Sequence, residues 1–194
     1  MVRLAFGVLG LWLFATTALF AAPLDDAATQ EEQQAGPPHQ TDKDKSIEAI
    51  NTARAAVVEA LSRAPLGFRR ILFVSDIPGG FAAYQPRANN IFAPDEPLIV
   101  YTEPIGVAWT KDGDKFSSKL VVDFDIRSPD GRVLAGQKGF GEFALSAREE
   151  PLDFMTHIKL DVTGAPAGPY ILGLTIHDTN SNKSTTADLP FEIR

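Results

Sequence analysis

Residues 119–128 read KLVVDFDIRS and have the clearest alternating pattern in the chain. The apolar side chains at alternate positions are Leu120, Val122, Phe124 and Ile126. The residues between them are Val121, Asp123, Asp125 and Arg127. A period of two predicts a β-strand with one buried and one solvated face. The Pro129-Asp130-Gly131 sequence that follows favours a tight turn, because proline fixes φ and glycine tolerates positive φ.

The same alternation continues on both sides of this strand. Further strands are predicted at residues 69–74, 80–84, 98–109, 132–143, 154–162, 170–177 and 184–193. Turns rich in Gly, Pro, Asp and Asn join them, and no helical pattern lies between them. Short connections favour antiparallel pairing, because parallel crossovers need a dozen or more residues. We therefore predict a mainly β fold, with an antiparallel β-sandwich over residues 68–194.

Before the strands, residues 46–64 have the pattern of one amphipathic α-helix. Ser46 is suited to capping its start, and Pro65 and Gly67 end it. The larger apolar side chains are Ile47, Ile50, Val57 and Leu61, at helical spacing. This stripe predicts either packing on the following domain or self-association through those four residues.

The N-terminus predicts export. Arg3 precedes an apolar stretch from Leu4 to Ala22, which is typical of a signal peptide over residues 1–22. The stretch is also long enough to be an uncleaved N-terminal anchor. Residues 23–45 are polar and predict a disordered linker. We expect a periplasmic or secreted protein, or else one anchored in the inner membrane with its domain outside the cytoplasm.

Composition excludes several functions. The chain has 194 residues, no cysteine and a formal net charge of -7. Without cysteine it has no disulfide, no thiolate zinc site and no cysteine nucleophile. The acidic balance argues against a nucleic-acid partner, which would need clustered Lys and Arg. Membrane contact is expected only through the N-terminal segment.

The sequence contains few candidates for a catalytic or metal-binding site. His39 lies in the predicted linker. If the strands around Val162 and Tyr170 form a hairpin, His157 and His177 become diagonal neighbours that could hold a metal, although no third ligand is evident. Asp178, Asn180 and Asn182 imitate the start of a calcium loop, but Lys183 stands where such a loop needs glycine, so a polar turn is predicted. No nucleophile elbow or phosphate cradle occurs.

Two segments carry a family resemblance. Residues 165–193, with Gly168-Pro169-Tyr170 near their start, resemble the closing hairpin of bacterial extracytoplasmic immunoglobulin-like domains, although Asn180 to Lys183 replaces a Ser-Gly-Lys turn. Residues 90–103 resemble the opening strands of such domains, with Asp95 where glycine is common. The resemblance implies an immunoglobulin-like β-sandwich without specifying a chemistry.

Together these observations predict a non-enzymatic envelope protein with no catalytic or cofactor-binding residues. Its sandwich would bind an envelope protein or polymer through a sheet face or an exposed edge strand. The alternative is a metal-dependent enzyme or metal-binding protein that uses His157 and His177.

Overall fold

The computed structural model describes residues 40–194. The predicted signal peptide or anchor (1–22), the greater part of the predicted linker (23–39) and His39 lie outside the described residues. Among residues 40–194 there is no helix whose length and hydrophobicity suit it to crossing a bilayer. One helix precedes nine strands in this part of the chain, so the predicted mainly β sandwich with a preceding helix is confirmed.

The strands form two sheets. The nine strands are β1 (Gly67–Phe73), β2 (Ile91–Phe92), β3 (Leu98–Ile105), β4 (Thr110–Asp112), β5 (Lys115–Arg127), β6 (Val133–Ala147), β7 (Thr156–Leu160), β8 (Gly168–Asp178) and β9 (Ser184–Ile193). The small sheet has the order β1-β3-β7, and the large sheet has the order β2-β9-β8-β5-β4, with β6 also paired with β5. The predicted strand at 80–84 is only an isolated bridge between Gly80 and Ala83.

The two sheets draw on different parts of the chain, since β1, β3 and β7 form the small sheet and the other strands form the large one. Tyr170 lies at the start of β8, and its hydroxyl donates to the Pro166 carbonyl at 2.6 Å, which holds the corner where this strand begins. One pair departs from the predicted antiparallel pattern, since β2 runs parallel to β9. The two strands are far apart in sequence, so the argument from short connections does not constrain them.

The core lies between the sheets and is formed by alternate residues of their strands. Its fully buried side chains include Leu120, Val122, Leu172, Leu174, Ile176, Val100 and Phe92. Edge-on aromatic contacts add to it, such as that of Phe73 with Phe92 at 5.1 Å between ring centroids. The alternation that predicted β5 therefore does point one face of that strand into the interior.

Helix α1 (Gln40–Arg63) begins earlier than predicted, so residues 40–45 of the predicted disordered linker are helical. Ser46 is an interior residue, and its hydroxyl donates to the Asp42 carbonyl at 2.9 Å, so the predicted cap at Ser46 is wrong. The polar residues of the first turns are tolerated in helices. The acidic Asp42 in the first turn also interacts favourably with the positive end of the helix dipole. A polar composition alone does not exclude a helix.

The helix contacts the sandwich with a narrower face than predicted. Arg54, Val58 and Leu61 are partly buried, whereas Val57 is 44% exposed. Ile47 and Ile50 are also exposed. Of the predicted stripe, only Leu61 therefore packs towards the domain, because the register of docking turns Val58 inward and its neighbour Val57 outward.

Two contacts fix the end of the helix. Lys183 donates through Nζ to the carbonyls of Ala64 and Gly106, at 3.0 and 3.1 Å. Gly106 has a φ of 72° and no space for a Cβ atom, which would lie 2.2 Å from the Pro65 carbonyl oxygen. The end of the helix therefore lies against the loop that follows β3.

Candidate binding surface at the edge of the large sheet

Strand β6 is the free edge of the large sheet. It pairs with β5 on one side, and within residues 40–194 no strand pairs with its other side. Its 15 residues make it the longest strand described. The backbone groups along such an edge are available to an added strand. Strand β6 is therefore one of the edges to which the predicted strand addition applies, and it is the longest of them.

A bulge divides β6 into two halves. Val122 pairs with Gly141 and Phe124 with Gln137, so the residues between them on β6 leave the regular ladder. At the bulge, Gly139 adopts a φ of 60°, and its N–H donates to Asp123 Oδ1 at 2.7 Å. Bulges of this kind interrupt edge pairing. An added strand would therefore use one half of β6, and not its whole length.

The first half of β6, Val133 to Gln137, is uncharged and exposed. Val133 is 62% and Leu134 is 47% exposed, an unusual state for two adjacent large aliphatic residues. Gly136 brings this half close to β5, because a Cβ atom there would lie 2.8 Å from the Phe124 carbonyl oxygen. The usual protections of an edge strand, charge and proline, are missing from these five residues.

An open groove of about 470 Å³ lies beside this half. Its apolar lining includes Ile126, Leu134, Ala135, Val162, Ala165 and Tyr170. Within residues 40–194, the large sheet has six strands and the small one three. After β7 the chain crosses to β8 through residues 161–167, and this crossing forms the opposite wall of the groove.

The wall of the groove is held by local hydrogen bonds. Gly164 N–H donates to the Asp95 carboxylate at 3.1 Å, and Asp95 itself has a φ of 64°. Asp161 accepts from the hydroxyl and the N–H of Thr163, which hold the pKa of its carboxyl below the usual range. The groove therefore has a fixed apolar wall with one ionised carboxylate at its rim.

The predicted hairpin that would join His157 and His177 does not form. Residue His157 pairs with Tyr101 in the small sheet, and His177 pairs with Val121 and Ser184 in the large sheet. The connection between β7 and β8 crosses from one sheet to the other, so the two histidines belong to different sheets. No group of three or more His, Asp or Glu side chains in the described part of the chain could hold a metal.

His177 instead pairs with a carboxylate on the outer face of the large sheet. Its Nε2 lies 2.9 Å from Asp123 Oδ2. Burial raises the pKa of Asp123, but the hydrogen bonds from Gly139 and His177 outweigh it and hold this pKa below its usual range. This pair ties β8 to β5 beside the bulge.

The polar residues noted between positions 178 and 182 form a turn. Asp178 is buried and accepts from the Ala108 N–H at 2.7 Å and from the Ser181 hydroxyl at 2.7 Å, as expected of a polar turn. Asn182 adopts a φ of 56°, so the turn that replaces the commoner Ser-Gly-Lys sequence still meets its left-handed requirement.

A buried polar cluster on the small sheet has no counterpart in the sequence-based predictions. Glu103 is 2% exposed, accepts from the Tyr101 hydroxyl at 2.8 Å, and lies 2.9 Å from the Arg69 guanidinium. The Tyr101 hydroxyl in turn accepts from the Ala82 N–H at 2.9 Å. Burial and the Glu103 carboxylate raise the pKa of Tyr101. The cluster fixes residues 75–90 over the outer face of the small sheet.

No protein-family model matches the chain, and no curated protein matches it. Among solved structures, the C-terminal domain of wzt has a TM-score of 0.39 at 11% identity, covering 68% of this chain and 75% of that one. A family 123 glycoside hydrolase from Clostridium perfringens has a TM-score of 0.38 at 11% identity, covering 68% and 27%. The CARDB domain of the PF1109 protein from Pyrococcus furiosus has a TM-score of 0.30 at 13% identity, covering 69% and 96%.

Proposed function

We propose that this chain is a non-enzymatic, exported binding module that holds an extended segment of another protein in the cell envelope. The segment would add as a strand along Val133 to Gln137 of β6. The observation that carries this proposal is the coincidence of an unpaired edge with the apolar groove beside it. Main-chain hydrogen bonds to the edge would supply affinity, and the groove would select side chains.

The chemistry of the groove supports a protein segment over a polymer rich in hydroxyl groups. In an added strand, every second side chain would point to the groove side, where Leu134, Ala135 and Tyr170 offer apolar contact. Among the described residues, the one aromatic ring that lines the groove, that of Tyr170, is already stacked on Phe191. The outward residues of β5 between Val121 and Arg127 include none, because they are Val, Asp and Arg. An extended apolar peptide therefore fits this surface better.

The location of the module rests on the N-terminal sequence. Residues 1–22 have the pattern of a signal peptide or anchor, which places the domain in the periplasm or outside the cell in this proposal. The strand-addition mode suits such a module, because it needs only a few side-chain contacts to recognise a partner.

A pair of peptides tests strand addition directly. The probe is a soluble peptide in which valine and threonine alternate, and its control is the same peptide with N-methyl groups on alternate amides. We expect the probe to bind and the N-methylated peptide to lose at least tenfold in affinity, because methylation removes the ladder hydrogen bonds and leaves the side chains in place. Equal binding of the two peptides would refute strand addition.

A pair of variants locates the binding. Leu134→Lys places a charge at the groove, and Ala144→Lys places the same charge on the second half of the same strand. We expect the first variant to weaken peptide binding about tenfold, or about 1.4 kcal/mol. The second should bind as the parent does. An equal loss in both variants, measured by fluorescence anisotropy, would place the site elsewhere.

A further inference from the structure

Helix α1 exposes an apolar face that the sandwich does not cover. Ala49, Ala53, Ala56 and Ala60 are spaced four, three and four residues apart, so they lie on one side of the helix. All four are exposed, and next to them lie Ile50 and Val57, which are 66% and 44% exposed. The partly buried residues Arg54, Val58 and Leu61 show that the sandwich covers a different side.

This face is not the surface of an ordinary solvated helix. Between Ser46 and Leu61 the only charged residues are Glu48, Arg54 and Glu59. Arg54 turns to the sandwich, where its guanidinium donates to the Glu150 carbonyl at 2.7 Å. At 100° per residue, the two glutamates lie on the far side of the alanine row from Ile50 and Val57. A continuous uncharged strip of this kind marks an interaction surface.

We propose that this face binds the same face of a second copy of the chain, with the two helices antiparallel. A two-fold axis requires a surface to complement itself, and the alanine row does so. Aligning Ala53 with the partner's Ala56 also aligns Ala49 with the partner's Ala60. Small side chains allow the two helix axes to approach closely. This proposal is independent of the peptide groove on β6.

The bulky residues favour the antiparallel arrangement. In this register Ile50 lies beside the partner's Val57, and the contact occurs twice. In a parallel pair the same residues would face the other flank of the partner's helix, where Lys45 and Thr52 lie. The antiparallel pair therefore buries both exposed aliphatic residues, and the parallel pair buries neither fully.

The charges at the helix ends favour the same arrangement. Asp42 lies in the first turn and Arg63 in the last. Arg63 pairs with Glu59 of its own helix, and an antiparallel pair would also bring it near the partner's Asp42 at both ends. The same arrangement opposes the two helix dipoles favourably. A parallel pair would place the two Arg63 side chains together. The seam predicted from the sequence changes accordingly: Ile50 and Val57 remain in it, whereas Leu61 faces the sandwich.

Cysteine crosslinking tests both the contact and its direction, because the full chain has no cysteine of its own. Full-length chains carrying Ala49→Cys and Ala60→Cys are mixed and treated with a short bis-maleimide. We expect the two variants to crosslink to each other, and Ala49→Cys alone to crosslink far less. Glu48→Cys, about 100° round the helix from Ala49 on the flank away from Ile50 and Val57, is the matched control and should give only background.

A second variant separates this contact from association through other parts of the chain. Ile50→Asp changes an exposed side chain, so the sandwich should keep its melting temperature, while light scattering should show loss of the dimer. Self-crosslinking of Ala49→Cys at the level of the mixture would overturn the antiparallel arrangement. A monomeric parent chain, or an Ile50→Asp variant that stays dimeric, would overturn the proposed contact itself.

Discussion

The outer face of the small sheet is covered by other residues of the chain, whereas the first half of β6 is exposed to solvent. The small sheet is covered by residues 75–90, which pack Tyr84 against Tyr101 with 4.2 Å between ring centroids. Nothing within residues 40–194 covers Val133 to Gln137, although Val133 and Leu134 are aliphatic. The same β-sandwich thus closes one apolar surface with its own chain and leaves another open. The closed surface serves stability, and we assign the open one to binding.

The largest effect on the free energy of unfolding is expected at the covered surface of the small sheet. Tyr101→Ala should lower the free energy of unfolding by about 3 to 5 kcal/mol, as for other large buried aromatic residues. The ring is fully buried, and its hydroxyl links Ala82 to Glu103. Urea denaturation measures the change. Tyr101→Phe keeps the ring and should lose about 1 to 2 kcal/mol; equal losses in the two variants would contradict the packing role.

A smaller effect is expected at Gly136. Gly136→Ala would bring a Cβ atom within 2.8 Å of the Phe124 carbonyl oxygen, so β6 must move away from β5. We expect a loss of about 1 to 3 kcal/mol in unfolding free energy. Gly141→Ala is the matched control on the same strand, because a Cβ atom there meets nothing within 4 Å. If the control loses as much, the close approach at Gly136 is not the cause.

The pH dependence of stability should report the Asp123 pair. The folded-state pKa of Asp123 lies below its unfolded value of about 3.9. Its contribution is therefore fully present above that value and is lost as the pH falls through the folded-state pKa. Asp123→Asn should flatten the acid limb of the stability curve below about pH 4. An unchanged acid limb would show that the contacts from Gly139 and His177 do not favour the ionised carboxylate.

The smallest effect on stability is expected at the open edge. Leu134→Lys should change the free energy of unfolding by no more than about 0.5 kcal/mol, because the side chain is 47% exposed. The same variant should lose peptide binding, as proposed above. A large loss of stability would instead make Leu134 part of the core and would remove the contrast between the two surfaces.

The sequence was sufficient where one residue's environment follows from its neighbours along the chain. The alternation around Phe124 predicted β5 and its buried face, and Pro129 to Gly131 predicted the turn that follows. It was insufficient where two folds share one pattern. A hairpin and a crossing between sheets both allow the alternation seen around Val162 and Tyr170, so the proximity of His157 to His177 was wrongly predicted.

The same limit applies to the candidate sites. Val57 and Val58 are equivalent in the sequence, and only docking of the helix decides that Val58 turns inward. The groove beside β6 is lined by residues far apart in sequence, such as Leu134 and Val162, which no local pattern brings together. The Tyr101 and Glu103 cluster was missed because strand alternation does not reveal that residues 75–90 cover the outer face of β3.

Amide hydrogen exchange, measured with and without the valine–threonine peptide, shows whether a strand adds to β6 and where. Strand addition predicts new protection of backbone amides between Val133 and Gln137, with no change between Gly141 and Ala147 beyond the bulge. The protection should disappear with the N-methylated peptide. Protection that is absent from residues 133–137, or that appears only in another part of the chain, would contradict strand addition at β6.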